Sequence, residues 1–428
     1  MLLLRALGVL TLVGSAFASG PVKKVLYTFE GTPDGSIPNS LIADRAGNLY
    51  GTTRFGGDPT CDCGTVFELS APATTGGAWT ESVLYAFRGG KQDGANPDGL
   101  VFDKLGNLYG ITELGAHDGT VYELTPPATA GGAWTESVIF SFPSNLGGGQ
   151  PAGKLTFDAA GNLYGAATLG GTGAACFSVV AKCGVVFRLA PPANPGEPWG
   201  ETVLHNFGFD ANDGQGPAGG LILDRSGALY GTTFRGGSNN NGTFFQLVRT
   251  NGVWTENILY NFAGSEGTPQ GNLIVDGSGN LYGTTSSGGI TKCDTFGCGI
   301  VFELSPPAAS GDPWTETTLY SFRNGSDGGL PNAALVLDKA GDLFGTAATG
   351  GLKAPNGGGT VFELSPPTVT GTTWIETTLH KFSGLISPTD GQIPEAGLVF
   401  FKGKFYGTTG GGGVPSGLGT VFSLVIVP

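Results

Sequence analysis

The stretch GNLYGTT (47–53) decides the fold, because the chain says it seven times. It returns as GNLYGIT (106–112), GNLYGAA (161–167), GALYGTT (227–233), GNLYGTT (279–285), GDLFGTA (341–347) and GKFYGTT (403–409). The aromatic anchors Tyr50, Tyr109, Tyr164, Tyr230, Tyr282, Phe344 and Tyr406 stand 59, 55, 66, 52, 62 and 62 residues apart. Self-similarity at such a period marks a repeat architecture.

The second unit shows what is repeated. GLVFD (99–103) alternates as a first strand, and DKLGN (103–107) is a tight turn in which Asp bonds nearby backbone and Gly supplies a positive φ. NLYGIT (107–112), GTVYEL (119–124) and WTESVIFSF (134–142) follow as the second, third and fourth strands. The mid-strand Gly110 recurs in every unit, which marks close approach of a backbone or an aromatic ring.

Four antiparallel strands, seven times over, predict an all-β, seven-bladed β-propeller. A lone blade exposes two apolar faces, and stacking blades in a ring buries both. A β-solenoid would have shorter, more uniform coils, and separate sandwich domains would need around 100 residues each. The seventh unit, AGLVFF (396–401), KFYGTT (404–409) and GTVFSLVIV (419–427), lacks a fourth strand. KKVLYTF (23–29) aligns with ESVLYAF (81–87), so the N-terminal strand is expected to complete the last blade. The expected blades are about 38–87, 97–142, 151–207, 217–262, 269–322, 331–382, and 394–428 plus 22–29.

Composition limits the function classes. The chain has 428 residues, 78 of them Gly and 27 Pro, and 39% are hydrophobic, enough for a packed core when the glycines fall in register. With 21 Lys+Arg against a net charge of −13, there is no basic footprint for nucleic acid or an anionic membrane. MLLLRALGVLTLVGSAFASG (1–20) reads as a secretory signal peptide over 1–18, cleaved after Ala18. No later run reads as a membrane helix or a C-terminal anchor, so the product is expected to be secreted, periplasmic or extracellular, and a monomer. Six cysteines form three local pairs, Cys61/Cys63, Cys176/Cys183 and Cys293/Cys298, each between a second and a third strand. Export favours disulfides. The Cys61-Asp62-Cys63 spacing leaves open whether that pair closes. Zinc competes less well, since each loop offers only two thiols.

Two loop sets share one rim of a propeller. The loops between second and third strands hold 10, 6, 16, 8, 13, 11 and 9 residues, and such variation on a rigid scaffold is where repeat proteins bind partners. The inter-blade segments read DGSIP (34–38), DGANP (93–97), DGQGP (213–217), DGGLP (327–331) and DGQIP (390–394), with GGGQP (147–151) and EGTPQ (266–270) departing. Asp34, Asp93, Asp213, Asp327 and Asp390 are therefore candidate ligands at the channel mouth, for a sugar or for Ca²⁺, which takes six to eight oxygens. Asp-Gly is also a plain turn former, and that reading stands beside the first. No other cofactor is expected.

His117, in the shortest variable loop, is a further candidate ligand, whereas His205 and His380 occupy the Tyr place of L-Y-x-F and read as aromatic substitutes. Trp79, Trp134, Trp199, Trp254, Trp314 and Trp374 open six fourth strands, each followed two residues later by Glu. One such pair per blade reads as packing rather than sugar stacking. Six equivalent glutamates make a poor acid and base, which need unlike environments. No nucleophile elbow, zinc-protease helix, P-loop or dinucleotide fingerprint is present.

The linked pattern D-G-x-x-P, L-x-x-D-x-x-G-N-L-Y-G-T-T, G-G, G-T-V-F-E-L and W-x-E-x-x-L-Y-x-F resembles the GloVer tandem-repeat proteins. Those are exported bacterial proteins, also described as choice-of-anchor because members end in different surface tails. The resemblance spans nearly the whole chain after residue 18 and implies export and repeats, not a reaction. This chain shows no recognisable tail. The D-x-x-G-N-L-Y hairpin also looks like those of NHL-type and lyase-type propellers, whose catalytic His and acidic residues cannot be placed here. The expected function is binding or scaffolding at the variable-loop face, toward a glycan, a cell-surface protein or a cation. The alternative is a carbohydrate-active or lyase-type enzyme using carboxylates at the channel mouth.

Overall fold

A computed structural model describes residues 20–426, apart from 75, 91–92, 116–117, 130, 144–147, 175, 177–181, 195, 211, 292, 294–295, 310–311, 353–356, 370–372, 385–387 and 415. Seven four-stranded antiparallel sheets form a β-propeller, with no α-helix among the described residues. Six blades are continuous in sequence. Blade 1, for example, comprises Ser36–Ala43, Leu49–Phe55, Thr65–Ser70 and Thr80–Ala86, hydrogen-bonded in that order.

The seventh blade is composite. Val399–Phe401, Lys404–Thr409 and Thr420–Val425 supply three strands, and Val22–Thr28 adds the outer one, antiparallel, pairing Val22 with Val425 and Thr28 with Thr420. The hydrophobic core shows that the circle is complete. Seven clusters of buried side chains each bridge two neighbouring blades. One joins Phe29, Tyr406 and Val421 of blade 7 to Leu41, Leu49, Phe67 and Leu69 of blade 1. Each large side chain so buried contributes about 1.5–3 kcal/mol.

The repeated motif has a local reason at each point. In blade 1 the Asp44 carboxylate accepts hydrogen bonds from the amides of Gly47 (2.7 Å) and Asn48 (2.9 Å), fixing the first turn. In the second strands, a Cβ on Gly51 would lie 2.5 Å from the Phe67 ring, and one on Gly283 would lie 2.6 Å from the Phe302 ring. The invariant glycine is thus the seat of an aromatic side chain from the third strand. Paired threonine hydroxyls, such as Thr53 and Thr65 at 2.8 Å, join the second and third strands in the interior. No helix among the described residues is long and apolar enough to cross a membrane.

Candidate functional site

In the inter-blade segments that have one, the acidic residue turns back onto the outer strand it has just left. The Tyr27 hydroxyl donates to Asp34 (2.7 Å), that of Tyr85 to Asp93 (3.2 Å) and that of Tyr320 to Asp327 (3.0 Å). The same carboxylates accept from the amides of Glu30, Arg88 and Arg323 at 2.7–3.1 Å. In the departing fifth unit Glu266 does the same work, accepting from Tyr260 (2.9 Å) and from the Ala263 amide (2.8 Å). Asp34, Asp93, Asp213 and Asp327 are buried, and none of the five aspartates lines the central channel. Their carboxylates sit at the seams between blades.

The glutamate of W-x-E approaches each seam from the following blade. Glu81, Glu136 and Glu316 are pushed up to about 7, mainly by burial and then by the negative charge of Asp34, Asp93 and Glu266 respectively. Glu376 is raised too, by burial and, in smaller part, by Asp327. Where blade 2 meets blade 3 there is no acidic partner in the described residues, and burial alone raises Glu201. These positions form one repeated inter-blade device: a hydroxyl, a carboxylate and a carboxylic acid.

Two seams replace the tyrosine by histidine. At the closing seam His380 Nε2 lies 3.1 Å from Asp390, and Lys23 stands where other blades carry the glutamate, its ammonium 2.6 Å from Asp390 Oδ1. Burial acts to raise Asp390, but hydrogen bonds from His380 and Lys23 outweigh it and hold the carboxyl well below its usual range. At the seam between blades 3 and 4, His205 Nε2 lies 3.7 Å from Asp213 and 3.6 Å from Glu256, and no lysine is inserted. Both histidines pack edge-on against the next aromatic, Phe207 at 4.6 Å and Phe382 at 4.8 Å, as the expected aromatic substitutes would. Their contact with carboxylates was visible in sequence only as a histidine upstream of a D-G motif; the glutamate comes from another blade.

The second feature is the channel. A cavity of about 740 Å³ runs along the first strands and is walled by all seven blades. Its lining includes Asn39, Asp98, Lys154, Asn272, Asn332 and Glu395. These positions follow the D-G-x-x-P motif and vary from blade to blade, unlike the structural repeat around them. Asp98 accepts from the Ser40 hydroxyl (3.3 Å) and the Gly99 amide (2.8 Å), and burial raises it. Lys154 is enclosed by protein yet open to the channel, and burial lowers its pKa. Asn332 Oδ1 is buried without a hydrogen-bond donor among the described residues. Glu113 and Phe234, near the ends of the second strands Leu108–Gly115 and Leu229–Gly236, bring the lining to the rim that carries the variable loops.

Those loops are clipped by three disulfides, Cys61–Cys63, Cys176–Cys183 and Cys293–Cys298, with no free cysteine among the described residues. The tight first pair is therefore closed. His117 lies outside the described residues. The tryptophans pack across seams: Trp79 meets Tyr406 edge-on at 6.0 Å, and Trp199 meets Tyr109 at 6.0 Å.

A family model described as the Gloeobacter/Verrucomicrobia repeat matches residues 13–221, 118–323 and 223–426. Among curated proteins none matches the chain. Of solved structures, a catalytically inactive virginiamycin B lyase from Staphylococcus aureus, with quinupristin, superposes with a TM-score of 0.53 at 15% identity. That alignment covers 95% of this chain and 100% of the lyase. The extracellular domain of a protein assigned to a hybrid two component system of B. thetaiotaomicron gives 0.51 at 10% identity, over 93% of this chain and 39% of that one. At these identities the likeness is one of fold.

Proposed function

The chain belongs to the Gloeobacter/Verrucomicrobia repeat family, and from that premise we propose that it is an exported, monomeric binding propeller rather than an enzyme. Its ligand enters the central channel from the variable-loop rim and is a neutral or weakly charged polar molecule, foremost a glycan of a cell surface or matrix. The observation that carries this reading is a channel of about 740 Å³ lined by the amides Asn39, Gln270, Asn272 and Asn332, with Lys154 and Asp98 as opposite charges. Amide and charged groups set into a concave wall are what hydroxyl-rich ligands need. The disulfides and the signal-like N-terminus support export. The seam carboxylates are occupied by tyrosines and backbone amides, which weakens their use as a paired acid and base.

The test is a glycan array probed with the protein lacking residues 1–18, run beside a polysaccharide-degradation screen. Retention of an oligosaccharide, lost in Lys154→Met and Asn332→Leu, is expected. Calcium enters as a separate arm, because the D-G motif also suits that cation. Turnover of a polysaccharide, or retention that both channel variants leave intact, overturns the reading.

A further inference from the structure

The seam between blades 3 and 4 differs from its sisters in a way the channel does not explain. At the other seams that carry an acidic segment residue, a tyrosine hydroxyl satisfies the carboxylate, or Lys23 neutralises it. Here His205, Asp213 and Glu256 present one ligand atom each within 4.8 Å of one another. We propose that these three side chains bind a single divalent transition-metal ion of the zinc class.

The geometry fits that ion. Zinc bonds to nitrogen and oxygen of about 2.0–2.2 Å place tetrahedral ligands about 3.3 Å apart. The His205 Nε2 distances of 3.7 Å to Asp213 and 3.6 Å to Glu256 need only a small contraction. Among the described residues, His205 Nε2 and Asp213 Oδ1 are buried with no hydrogen-bond partner, and the Glu256 oxygen that faces His205 is Oε2, at 3.6 Å. The Asp213 side chain is only 6% exposed and that of Glu256 10%, so the carboxylates facing His205 are largely shut away from bulk water. Such groups are costly unless something binds them.

The surroundings orient the set. The Phe209 amide donates to Asp213 Oδ2 at 2.8 Å, holding the carboxylate while Oδ1 faces the imidazole. Phe207 packs against the His205 ring, and the Cys176–Cys183 bridge joins the same buried cluster. Outer contacts of this kind fix ligand direction. The His205 side chain is 19% exposed, which leaves a path for the ion and a fourth position for water. One imidazole with two carboxylates suits zinc, cobalt or manganese, whereas calcium takes six to eight oxygens. The other histidine seam is closed to a cation, because Lys23 already lies against Asp390.

Titration calorimetry and thermal melting of the chelator-stripped protein lacking residues 1–18, with Zn²⁺ and then Co²⁺, test this. One ion per chain, a raised melting temperature reversed by chelator, and visible Co²⁺ absorption of a low-symmetry site are expected. His205→Tyr installs the residue that four sister seams use, so it should fold, and it should weaken binding by roughly tenfold or more. Glu256→Gln is the second variant, and His380→Tyr should leave binding unchanged. Absence of a bound ion, binding that survives both His205→Tyr and Glu256→Gln, or preference for Ca²⁺ over Zn²⁺ overturns the proposal. Glycan retention is read separately, so failure here leaves the channel reading intact.

Discussion

Lys23 and Asp390, 367 positions apart, form an ion pair of 2.6 Å that fastens the first strand to the seam between blades 6 and 7. The lysine also donates to the Asp390 carbonyl and lies 5.0 Å from the centre of the Phe382 ring. Its side chain is 5% exposed. Burial draws the lysine's pKa down against the upward pull of Asp390, whereas the aspartate is held low by His380 as well as Lys23. Because loss of one partner strands a buried charge, Lys23→Met should cost about 3–5 kcal/mol. Urea unfolding measures this, and an unchanged midpoint would show that the pair does not hold the ring closed.

The same latch makes a larger prediction. Removing residues 20–29 strips the outer strand from blade 7 and Phe29 from the cluster shared with blade 1. The loss is felt at two seams, so the melting temperature should fall for the ring as a whole, with one cooperative transition at lower temperature. A truncated protein that melts as the full one does would contradict closure by this strand.

The seam glutamates set a pH dependence with a definite sign. Glu81, Glu136 and Glu316 are raised from 4.5 to about 7, by burial first and by the facing carboxylates second. The folded chain therefore keeps their protons to higher pH than the unfolded chain. Their stabilising contribution is full below about 4.5 and drains away as pH rises through about 7. Asp390 acts oppositely: its pKa is depressed, so its contribution is present above 3.8 and fails in stronger acid. The protein should melt highest in mildly acidic buffer and lower at pH near 8. Since these glutamates are partly exposed, the fall is expected to be a few degrees. Glu81→Gln combined with Glu136→Gln should flatten the curve between mildly acidic and neutral pH, and an unaltered profile would locate the titration elsewhere.

How far the sequence could carry the reading follows from what repeats. The seven L-Y-G motifs and the orphan strand at Val22–Thr28 are set by local pattern, and strand pairing follows from them. The aspartates were harder. A D-G-x-x-P motif before an inner strand points equally to the channel and to the seam, and only the direction of the Asp34 carboxylate, back onto Tyr27, separates the two. The meeting of Glu256 with His205 and Asp213 joins residues from different blades, so no spacing within one unit could reveal it. The channel wall was likewise hidden. Its members, such as Lys154 and Asn332, are the positions that do not repeat.

The single tyrosine in the third-strand aromatic row yields the last prediction. Phe67, Phe187, Phe245, Phe302, Phe362 and Phe422 sit over the second-strand glycines of six blades, and Tyr122 sits over Gly110. The Tyr122 ring is fully buried, and its hydroxyl has no hydrogen-bond partner among the described residues. Burial, with the nearby charges of Asp98 and Glu136, pushes its pKa far up, so it stays a neutral donor throughout. A buried donor left unsatisfied costs about 1–3 kcal/mol. Tyr122→Phe should therefore stabilise the protein by about 1 kcal/mol, the ring keeping its edge-on contact with Phe87 at 5.0 Å. Gly110→Ala should do the reverse, because a Cβ there would lie 2.3 Å from the Tyr122 oxygen, and overpacking of that kind costs about 1–3 kcal/mol. Chemical denaturation of both variants checks the pair. A destabilised Tyr122→Phe would mean that the hydroxyl has a partner, and the neighbouring Asp98 in the channel wall is where to look for it.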